Sequence, residues 1–241
     1  MRYGIISDIH SNLEALEAVR EDALKEGVDL FFSSGDIVGY GANPNECLDI
    51  IKALNVSIAA GNHDWAAGAK FDAQYFNPLA LEAIVWTKQV LSKENLAFLS
   101  DLELVFKNQD FILVHGSLDQ PADFIYLGKG SQAKETFSLM DRNVCFIGHT
   151  HIPRIFIQQK EKIVFSGPLN IELQKGCKYI VNAGSVGQPR DRNPLASYCI
   201  FDSVRQTVEI KRVPYDILRA QKKIRAAGLP EYLAERLEYG E

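Results

Sequence analysis

The sequence has no excess of basic residues. Its 241 residues include 26 Lys and Arg against 31 Asp and Glu, which gives a formal net charge of -5. Proteins that hold extended DNA or RNA neutralise many phosphates with Lys and Arg and usually show a basic face. We therefore expect no extended nucleic-acid partner and disfavour a nuclease, whereas a substrate of nucleotide size is compatible with this charge.

Cysteines and long apolar runs are also scarce. The four cysteines, at positions 47, 145, 177 and 199, form no C-x-x-C pair, which argues against a disulfide framework or a zinc knuckle. No apolar run approaches the roughly 20 residues that span a bilayer, and residues 3–6 are too few for a signal-peptide core. We expect no membrane partner and a location in the reducing cytoplasm.

Helix start signals recur along the chain. Ser11 with Glu14 has the spacing of a capping box, and the helix that follows is predicted to end at Gly27. Asn43-Pro44 and Asn77-Pro78 each combine an N-cap residue with proline at the first helical position. Shorter helices are predicted at 92–99 and 132–140, and the tail at 214–241 is helical in pattern.

Short apolar runs between these helices predict strands. They cover residues 3–7, 28–33, 55–60, 103–107, 111–114, 144–147, 154–159, 162–165, 178–181, 196–201 and 207–213. Because strands alternate with helices early and dominate later, we expect an α/β core with a second, more antiparallel sheet. The predicted organisation is one domain over residues 1–213, with a C-terminal helical tail at 214–241 packed on it.

Five of the predicted strands lead directly into Asp, Asn or His, and all five histidines of the chain lie in these clusters. Ligands of α/β proteins bind outside the carboxyl ends of the strands, so the clusters are expected to share one edge. Asp8 and His10 are two residues apart, as are His149 and His151. In extended backbone this spacing would turn each pair to one face.

The clusters contain seven candidate metal ligands: Asp8, His10, Asp36, Asn62, His115, His149 and His151. Seven are too many for one ion and suit two ions that share a bridging carboxylate. Oxygen and imidazole ligands without thiolate fit Mn²⁺, Fe²⁺, Zn²⁺ or Ni²⁺ rather than a structural zinc site. Two divalent ions and two Asp ligands leave a positive site, which favours an anionic substrate such as a phosphate ester.

Five motifs occur in a characteristic order between residues 7 and 151: S-D-I-H, G-D-I-V-G-Y-G, G-N-H-D, V-H-G and G-H-T-H. Together they resemble the calcineurin-like metallophosphoesterases, in the bacterial and archaeal cytoplasmic branch. N-A-G-S-V-G-Q-P-R-D at 182–191 and A-G-L-P-E-Y-L-A-E-R-L near the C-terminus extend the resemblance over nearly the whole chain. The resemblance implies a four-layer α-β-β-α sandwich.

The resemblance also implies a division of roles. One ion would be held by Asp8, His10, Asp36 and His151, and the other by Asp36, Asn62, His115 and His149, with manganese favoured. A metal-bound hydroxide would attack phosphorus. His63 would protonate the leaving oxygen as a general acid and Asp64 would orient it.

Departures from the wider superfamily narrow the function. G-Y-G-A-N-P-N-E stands where protein phosphatases carry an Arg-containing block, and Ser11-Asn12 follows the first histidine in place of glycine. A protein serine/threonine phosphatase is therefore disfavoured. Ala183 stands where the family pattern has proline, which we regard as a mild change.

Four further residues are weaker substrate-binding candidates. Arg190 and Arg192 lie in a Gly/Pro-rich loop and could clamp a second phosphate, although solvated loop charges are an equal alternative. Arg154 has the same standing. Tyr40, between two glycines, could line the site or serve only as a turn residue.

These residues predict a dinuclear metal-dependent phosphoesterase that acts on a small soluble phosphate ester. A phosphodiester or a nucleotide, such as a dinucleoside polyphosphate, is preferred to a simple monoester. The rival interpretation is a catalytically weak protein-interaction scaffold on the same fold, as in a retromer subunit that lacks the catalytic histidine. His63 is present, which favours an enzyme.

Overall fold

The computed structural model describes residues 1–166 and 169–241. The strands of these residues are β1 (Arg2–Ile6), β2 (Leu30–Ser33), β3 (Ser57–Ile58), β4 (Val105–Lys107), β5 (Ile112–Val114), β6 (Val144–Ile147), β7 (Arg154–Gln159), β8 (Lys162–Phe165), β9 (Asn170–Glu172), β10 (Cys177–Asn182), β11 (Ala196–Asp202) and β12 (Thr207–Val213). The helices are α1 (Leu13–Lys25), α2 (Pro44–Ala53), α3 (Asn62–Ala67), α4 (Pro78–Val90), α5 (Lys93–Ser100), α6 (Gly130–Leu139), α7 (Ile217–Ala226) and α8 (Glu231–Tyr239). None of the helices in the described ranges combines the length and apolarity that crossing a membrane requires.

The strands form two sheets, and both are mixed. Sheet 1 has the order β3-β2-β1-β11-β12-β9 and sheet 2 the order β4-β5-β6-β10-β7-β8. Three neighbouring strands are parallel in each, namely β3, β2 and β1 in sheet 1 and β5, β6 and β10 in sheet 2. The second sheet was expected to be the more antiparallel one, and this is wrong, because β11 joins sheet 1 beside β1 while β10 extends the parallel part of sheet 2.

The two sheets pack face to face, with helices on both outer sides. Phe111, Phe146 and Phe201 are fully buried between the sheets, and burying each such side chain contributes about 1.5–3 kcal/mol. Leu16 of α1 packs on the outer face of sheet 1, and Phe137 of α6 packs on that of sheet 2. The predicted four-layer α-β-β-α sandwich is confirmed.

Two predicted helix starts are confirmed by side-chain caps, whereas Asn43 precedes α2 without a side-chain cap bond. Asn77 and Ser92 accept hydrogen bonds from the backbone N–H groups of Ala80 and Asn95, at 3.0 and 3.1 Å. The start of α1 differs, because Asn12 rather than Ser11 accepts the capping bond, from Ala15 at 3.2 Å. Ser11 cannot take that role since its backbone turns through the left-handed region, at φ 55°.

Among the α-helices and strands of the described residues, α3 and β9 were not predicted. Helix α3 begins at Asn62, and its six residues are too few to show a helical period in the sequence. Strand β9 pairs with β12 at the edge of sheet 1. Strand β3 is also shorter than the predicted 55–60, so the chain leaves sheet 1 early and turns directly into α3.

The last two helices pack behind the loop that carries Tyr40. Leu233 and Leu237 of α8 lie in one apolar cluster with Tyr40 and with Ala83 of α4. The buried carboxylate of Glu14 forms ion pairs with two residues of α7, Arg219 at 3.2 Å and Lys223 at 2.6 Å. These contacts fix the tail against α1, one helix away from the polar clusters.

Candidate metal centre

The polar clusters converge where the carboxyl ends of strands from both sheets meet. Asp8, Asp36 and Asn62 follow β1, β2 and β3 of sheet 1, whereas His115 and His149 follow β5 and β6 of sheet 2. The expected single edge is therefore two edges, one from each sheet, which face each other. All seven candidate ligands are buried.

The loops after the strands are not extended. Asp8, His10, His149 and His151 have φ values of 51°, 48°, 67° and 59°. The expectation that i and i+2 spacing in extended backbone aligns each pair is thus wrong, because the side chains are aimed by left-handed turns. Positive φ values are uncommon for residues other than glycine, and they persist where the surrounding structure stabilises them. Here Asp8 N–H donates to Gly35 O at 2.9 Å and His10 N–H to Asp36 O at 3.0 Å.

One ligand group consists of Asp8, His10 and His151, whose ligand atoms all lie within 4.8 Å of one another. His151 Nε2 lies 3.2 Å from Asp8 Oδ1 and 3.1 Å from His10 Nε2. The second oxygen of Asp8 accepts bonds from Ser7 Oγ at 2.6 Å and from His149 N–H at 3.0 Å. Asp8 is therefore held with Oδ1 directed at the two imidazoles.

The histidines of this group turn two lone pairs toward each other. Nδ1 of His10 lies 3.0 Å from the carbonyl oxygen of Val38, and Nδ1 of His151 lies 2.6 Å from that of Gln188. A carbonyl oxygen only accepts, so each Nδ1 carries the hydrogen and each Nε2 is a bare acceptor. Two acceptors 3.1 Å apart repel each other unless a cation lies between them, so this group fits a metal ion.

A second group consists of Asp36, His115 and His149, again within 4.8 Å. His115 Nε2 lies 3.2 Å from Asp36 Oδ2 and 3.1 Å from His149 Nδ1, while His115 Nδ1 donates to Ser34 O at 2.7 Å. The buried Oδ1 of Asn62 has no hydrogen-bond partner among the described residues. A buried oxygen without a hydrogen bond destabilises the folded state, and a cation bound to Asn62 Oδ1 would satisfy it.

Asp36 lies between the two groups. Its Oδ2 is 3.2 Å from His115 Nε2 in the second group and 3.7 Å from His10 Nε2 in the first. Its Oδ1 accepts the backbone N–H of His63 at 2.8 Å, which fixes the carboxylate plane. This is the geometry a bridging ligand needs.

The carboxylates of the site are ionised despite their burial. Burial opposes ionisation of Asp8, but His151 and His115 hold the pKa of this carboxyl well below its usual range. The same balance, with His115 as the main partner, lowers the pKa of Asp36. Burial also opposes protonation of His115, yet Asp36 raises its pKa to about 9. Both carboxylates are thus ionised, and a metal ion bound here would take the place of the proton that His115 holds beside Asp36.

His63 lies beside both groups, within an aromatic enclosure. Its ring centroid is 4.6 Å from those of Tyr40 and Phe76 and 4.9 Å from that of His10. Burial lowers the pKa of His63 to about 4, although Asp36 opposes that shift. His63 also forms a third possible ligand group with His10 and Asp36, whose ligand atoms all lie within 4.8 Å of one another. Geometry alone therefore does not decide whether His63 is a metal ligand or a proton donor.

The Asp64 carboxylate makes no hydrogen bond to the His63 ring among the described residues, so these contacts do not support its predicted orienting role. Its carboxylate accepts backbone N–H bonds from Asp36 at 2.7 Å, from Ile37 at 2.8 Å and from Gly61 at 3.1 Å. Burial and the neighbouring Asp36 raise the pKa of Asp64 to about 7, and the backbone donors oppose that rise. Asp64 therefore shapes the loop that presents Asp36.

Two glycines of the motifs are required by close approach. A Cβ on Gly61 would lie 2.0 Å from Asp36 Oδ1, and one on Gly148 would lie 1.9 Å from Ser7 Oγ. Both distances are far inside van der Waals contact. The glycines of G-N-H-D and G-H-T-H thus leave room for the carboxylates of Asp36 and Asp8.

A cavity of ≈ 300 Å³ opens in front of the two groups. Of the weaker candidates, Tyr40 and Arg190 line it, with the Arg190 guanidinium carbon 5.6 Å from the Tyr40 ring centroid. Arg192 does not line it, because this exposed residue turns away at φ 62° and donates its N–H to Gly240 O. Arg154 also lies elsewhere, with its guanidinium on Gly128 O and over Phe165.

Sequence reasoning missed the strand end after β10. Ser185 Oγ donates to Asp8 O at 2.7 Å, and Asn182 Nδ2 donates to Gly148 O at 2.6 Å. Gln188 supplies the carbonyl oxygen that orients His151. The N-A-G-S-V-G-Q block contained the signal, since it too follows a strand, but none of its residues is a ligand type that stands out.

Known proteins share this sequence and architecture. A family model, the calcineurin-like phosphoesterase superfamily domain, matches residues 1–206. An uncharacterized protein of Methanocaldococcus jannaschii is 44% identical over 241 residues, covering 98% of this chain and 97% of that protein. The crystal structure of a metallophosphoesterase from Sphaerobacter thermophilus is 40% identical with a TM-score of 0.87, covering 100% of this chain and 99% of that one.

A hypothetical protein from Pyrococcus horikoshii shares the fold at lower identity. Its crystal structure has a TM-score of 0.81 at 21% identity and covers 100% of this chain and 98% of that one. The family match and the Sphaerobacter relative confirm the resemblance that the five motifs predicted. The chain belongs to the calcineurin-like phosphoesterase superfamily.

Proposed function

We propose that the protein is a dinuclear metal-dependent phosphoesterase that hydrolyses a small phosphate ester, with a phosphodiester or nucleotide, such as a dinucleoside polyphosphate, preferred to a simple monoester. The observation that carries the proposal is the pair of buried Asp/His groups that share Asp36 between them. Family membership supports a phosphoesterase. The four cysteines are buried free thiols, which supports a cytoplasmic location.

Asp8, His10, Asp36 and His151 would hold one divalent ion, and Asp36, Asn62, His115 and His149 the other. We favour Mn²⁺ over Fe²⁺, Zn²⁺ and Ni²⁺, all of which suit such ligands. When bound, two such ions would supply a nucleophile at neutral pH and stabilise the attacking and leaving oxygens. Two Asp carboxylates offset only part of their charge, which leaves the site attractive to an anionic phosphoryl group.

His63 would deliver the proton to the leaving oxygen. Its Nδ1 is buried without a partner, and a Cβ on Gly39 would lie 2.4 Å from it, so Nε2 is the nitrogen that faces substrate. Tyr40 and Phe76 both pack against the ring, each with its centroid 4.6 Å away. An anionic phosphoryl group nearby raises the pKa of an imidazole, which moves His63 toward the protonated form that a general acid needs.

Turnover is expected to depend on added metal. Protein stripped with a chelator should hydrolyse no ester, and Mn²⁺ should restore activity, because no other group in the described site could activate water as strongly. The test is a Mn²⁺-reconstituted panel of an aryl phosphodiester, an aryl monoester, cyclic nucleotides and dinucleoside polyphosphates. Absence of hydrolysis on every ester at full metal occupancy would support the scaffold interpretation instead.

Arg190 is expected to bind a phosphate oxygen. Its Nη2 donates to Gln188 Oε1 at 2.7 Å, whereas its buried Nε has no acceptor among the described residues. A hydrogen bond to a charged group contributes about 1.5–3 kcal/mol, so Arg190→Gln should raise KM by about 10- to 100-fold. Steady-state kinetics on the best ester of the panel measures this.

Arg192→Gln is the matched control, since it removes the same charge from the same loop outside the cavity. Its KM should stay within about twofold of the unsubstituted enzyme, as expected for a surface charge. Equal effects of the two substitutions would show that loop charge, rather than contact with substrate, is responsible.

A further inference from the structure

Aromatic rings form much of the wall of the cavity. They come from three separate segments, and they are Tyr40, Phe71, Tyr75, Phe76, Phe124 and Tyr126. The volume of ≈ 300 Å³ lies at the lower end of the range for small-molecule sites, about 300–1,000 Å³. The site therefore offers more apolar surface than binding of a bare phosphoryl group requires.

Four of these rings are buried or packed against the core, whereas the other two are exposed. Tyr40 and Phe124 are buried, and Phe71 and Phe76 pack against the core of sheet 1. Tyr75 and Tyr126, in contrast, are 75% and 53% exposed at the mouth of the cavity. Large aromatic side chains left in solvent beside a polar site are typical of ligand contacts.

The loop that carries Tyr126 is built to hold it in place. Phe124 adopts a left-handed backbone at φ 47°, and its ring lies edge-on to those of Phe71, at 5.2 Å, and His115, at 6.0 Å. The Tyr126 ring stacks on His149 at 3.8 Å with an interplanar angle of 18°. One face of Tyr126 is thereby covered, and the other is left for a further ring.

Polar groups accompany the exposed rings. Asp123 and Asn77 line the same cavity, and Asn77 uses Oδ1 to cap α4, which leaves its NH₂ group as a donor. A carboxylate acceptor and an amide donor match sugar hydroxyls and the edge of a base. These groups favour a nucleoside over a plain aryl substituent.

We propose that Tyr75 and Tyr126 form a subsite that stacks a planar aromatic ring of the substrate, either a nucleobase or an aryl group. The inference rests on the proposed function only in that the ring belongs to the phosphate ester bound at the metal centre. Stacking on an aromatic side chain tolerates many ring types, so the two tyrosines would favour substrates with a ring over those without one. Asp123 and Asn77 would then discriminate between different rings.

The test measures binding without turnover. Mn²⁺-loaded protein is titrated calorimetrically with ethylphosphonate, phenylphosphonate and the analogue of AMP in which CH₂ replaces the ester oxygen. None of these has a phosphorus–oxygen ester bond to hydrolyse. Phenylphosphonate and the AMP analogue are expected to bind at least about tenfold more tightly than ethylphosphonate, as expected for one stacked ring. A further gain for the AMP analogue alone assigns the ring as a nucleobase, and equal gains assign an aryl group.

Variants locate the effect. Tyr75→Leu and Tyr126→Leu should reduce the preference for ring-bearing ligands to about twofold, because the stacking surface is lost. Tyr75→Phe and Tyr126→Phe should retain it. Tyr239→Leu is the control, since Tyr239 is an exposed tyrosine on α8, outside the cavity, and it should also retain the preference.

Equal affinity of the unsubstituted protein for all three phosphonates would overturn the subsite. If the esters of the panel are nevertheless hydrolysed, the proposed function stands and only the subsite fails. If no ester is hydrolysed but the ring preference is measured, the subsite stands and the proposed function fails. Retention of the full preference in both leucine variants would also overturn the assignment to these two tyrosines.

Discussion

Replacing His63 by alanine is expected to leave two metal ions bound per chain while turnover falls by about 10²- to 10⁴-fold, the usual contribution of a general acid. The reason is that two complete ligand groups would already be supplied without His63, by Asp8, His10, Asp36, Asn62, His115, His149 and His151. His63 would then be needed only for the proton. Metal content by plasma mass spectrometry and kcat on an aryl phosphodiester measure the two quantities separately.

Asn62→Ala is the matched comparison for His63→Ala, since the two residues are neighbours at the start of α3. It should lose metal from the second group, because its unpartnered Oδ1 is the predicted ligand. Loss of one ion from His63→Ala would instead make His63 a ligand, in the alternative group that it forms with His10 and Asp36. That result would overturn its role as proton donor.

Substitution of Asp36 by asparagine is expected to deplete both ions and abolish turnover. Asparagine keeps an oxygen that can accept the His63 N–H but removes the charge that faces His115 and His10. Loss of a residue that only hydrogen-bonds to a metal ligand lowers metal affinity by about 10- to 100-fold. Loss of a ligand shared by two ions should lower the affinity for each ion by more. Dialysis against buffered Mn²⁺ followed by metal analysis gives both occupancies.

Asp8→Asn serves as the control for this experiment. Asp8 lies 3.2 Å from His151 in the first group and 3.9 Å from His115, so its loss should weaken mainly one ion. Circular dichroism would verify that both variants are folded. Retention of two ions by the Asp36 variant would refute the bridging role. Equal depletion by the two variants would show that Asp36 is no more shared between the two ions than Asp8 is.

Much of the fold could be predicted because its signals are local. The caps at Asn77 and Ser92 and the apolar run of β6 depend only on neighbouring residues. The ligand set was also visible, since histidine is rare in this chain and each one follows a strand. The motif order then carried information about family that no single cluster contained.

Other features depend on contacts that no local pattern encodes. Asp64 stands next to His63 in sequence, yet its carboxylate turns away to three backbone amides of another loop. Neither Asp8 nor His151 is glycine, and their left-handed backbone is held by hydrogen bonds with distant loops, to Gly35 and from Gly187 for Asp8 and from Arg190 for His151. Phe124 is buried whereas Tyr126, two residues later, is exposed, and no sequence pattern reveals that difference.

The division of the site between two sheets has a mechanical consequence. Each ion would take ligands from both layers, since His151 of sheet 2 joins Asp8 and His10 of sheet 1, and His115 joins Asp36. The hydrophobic attraction between the phenylalanine side chains of the two sheets is non-directional, whereas metal coordination requires a fixed ligand geometry. The two bound ions would thus link the sheets at two points and oppose sliding of one sheet over the other. Free metal at a hundred times Kd would add about 2.7 kcal/mol per site to the free energy of unfolding, so metal supply would help to set the heat resistance of the whole chain.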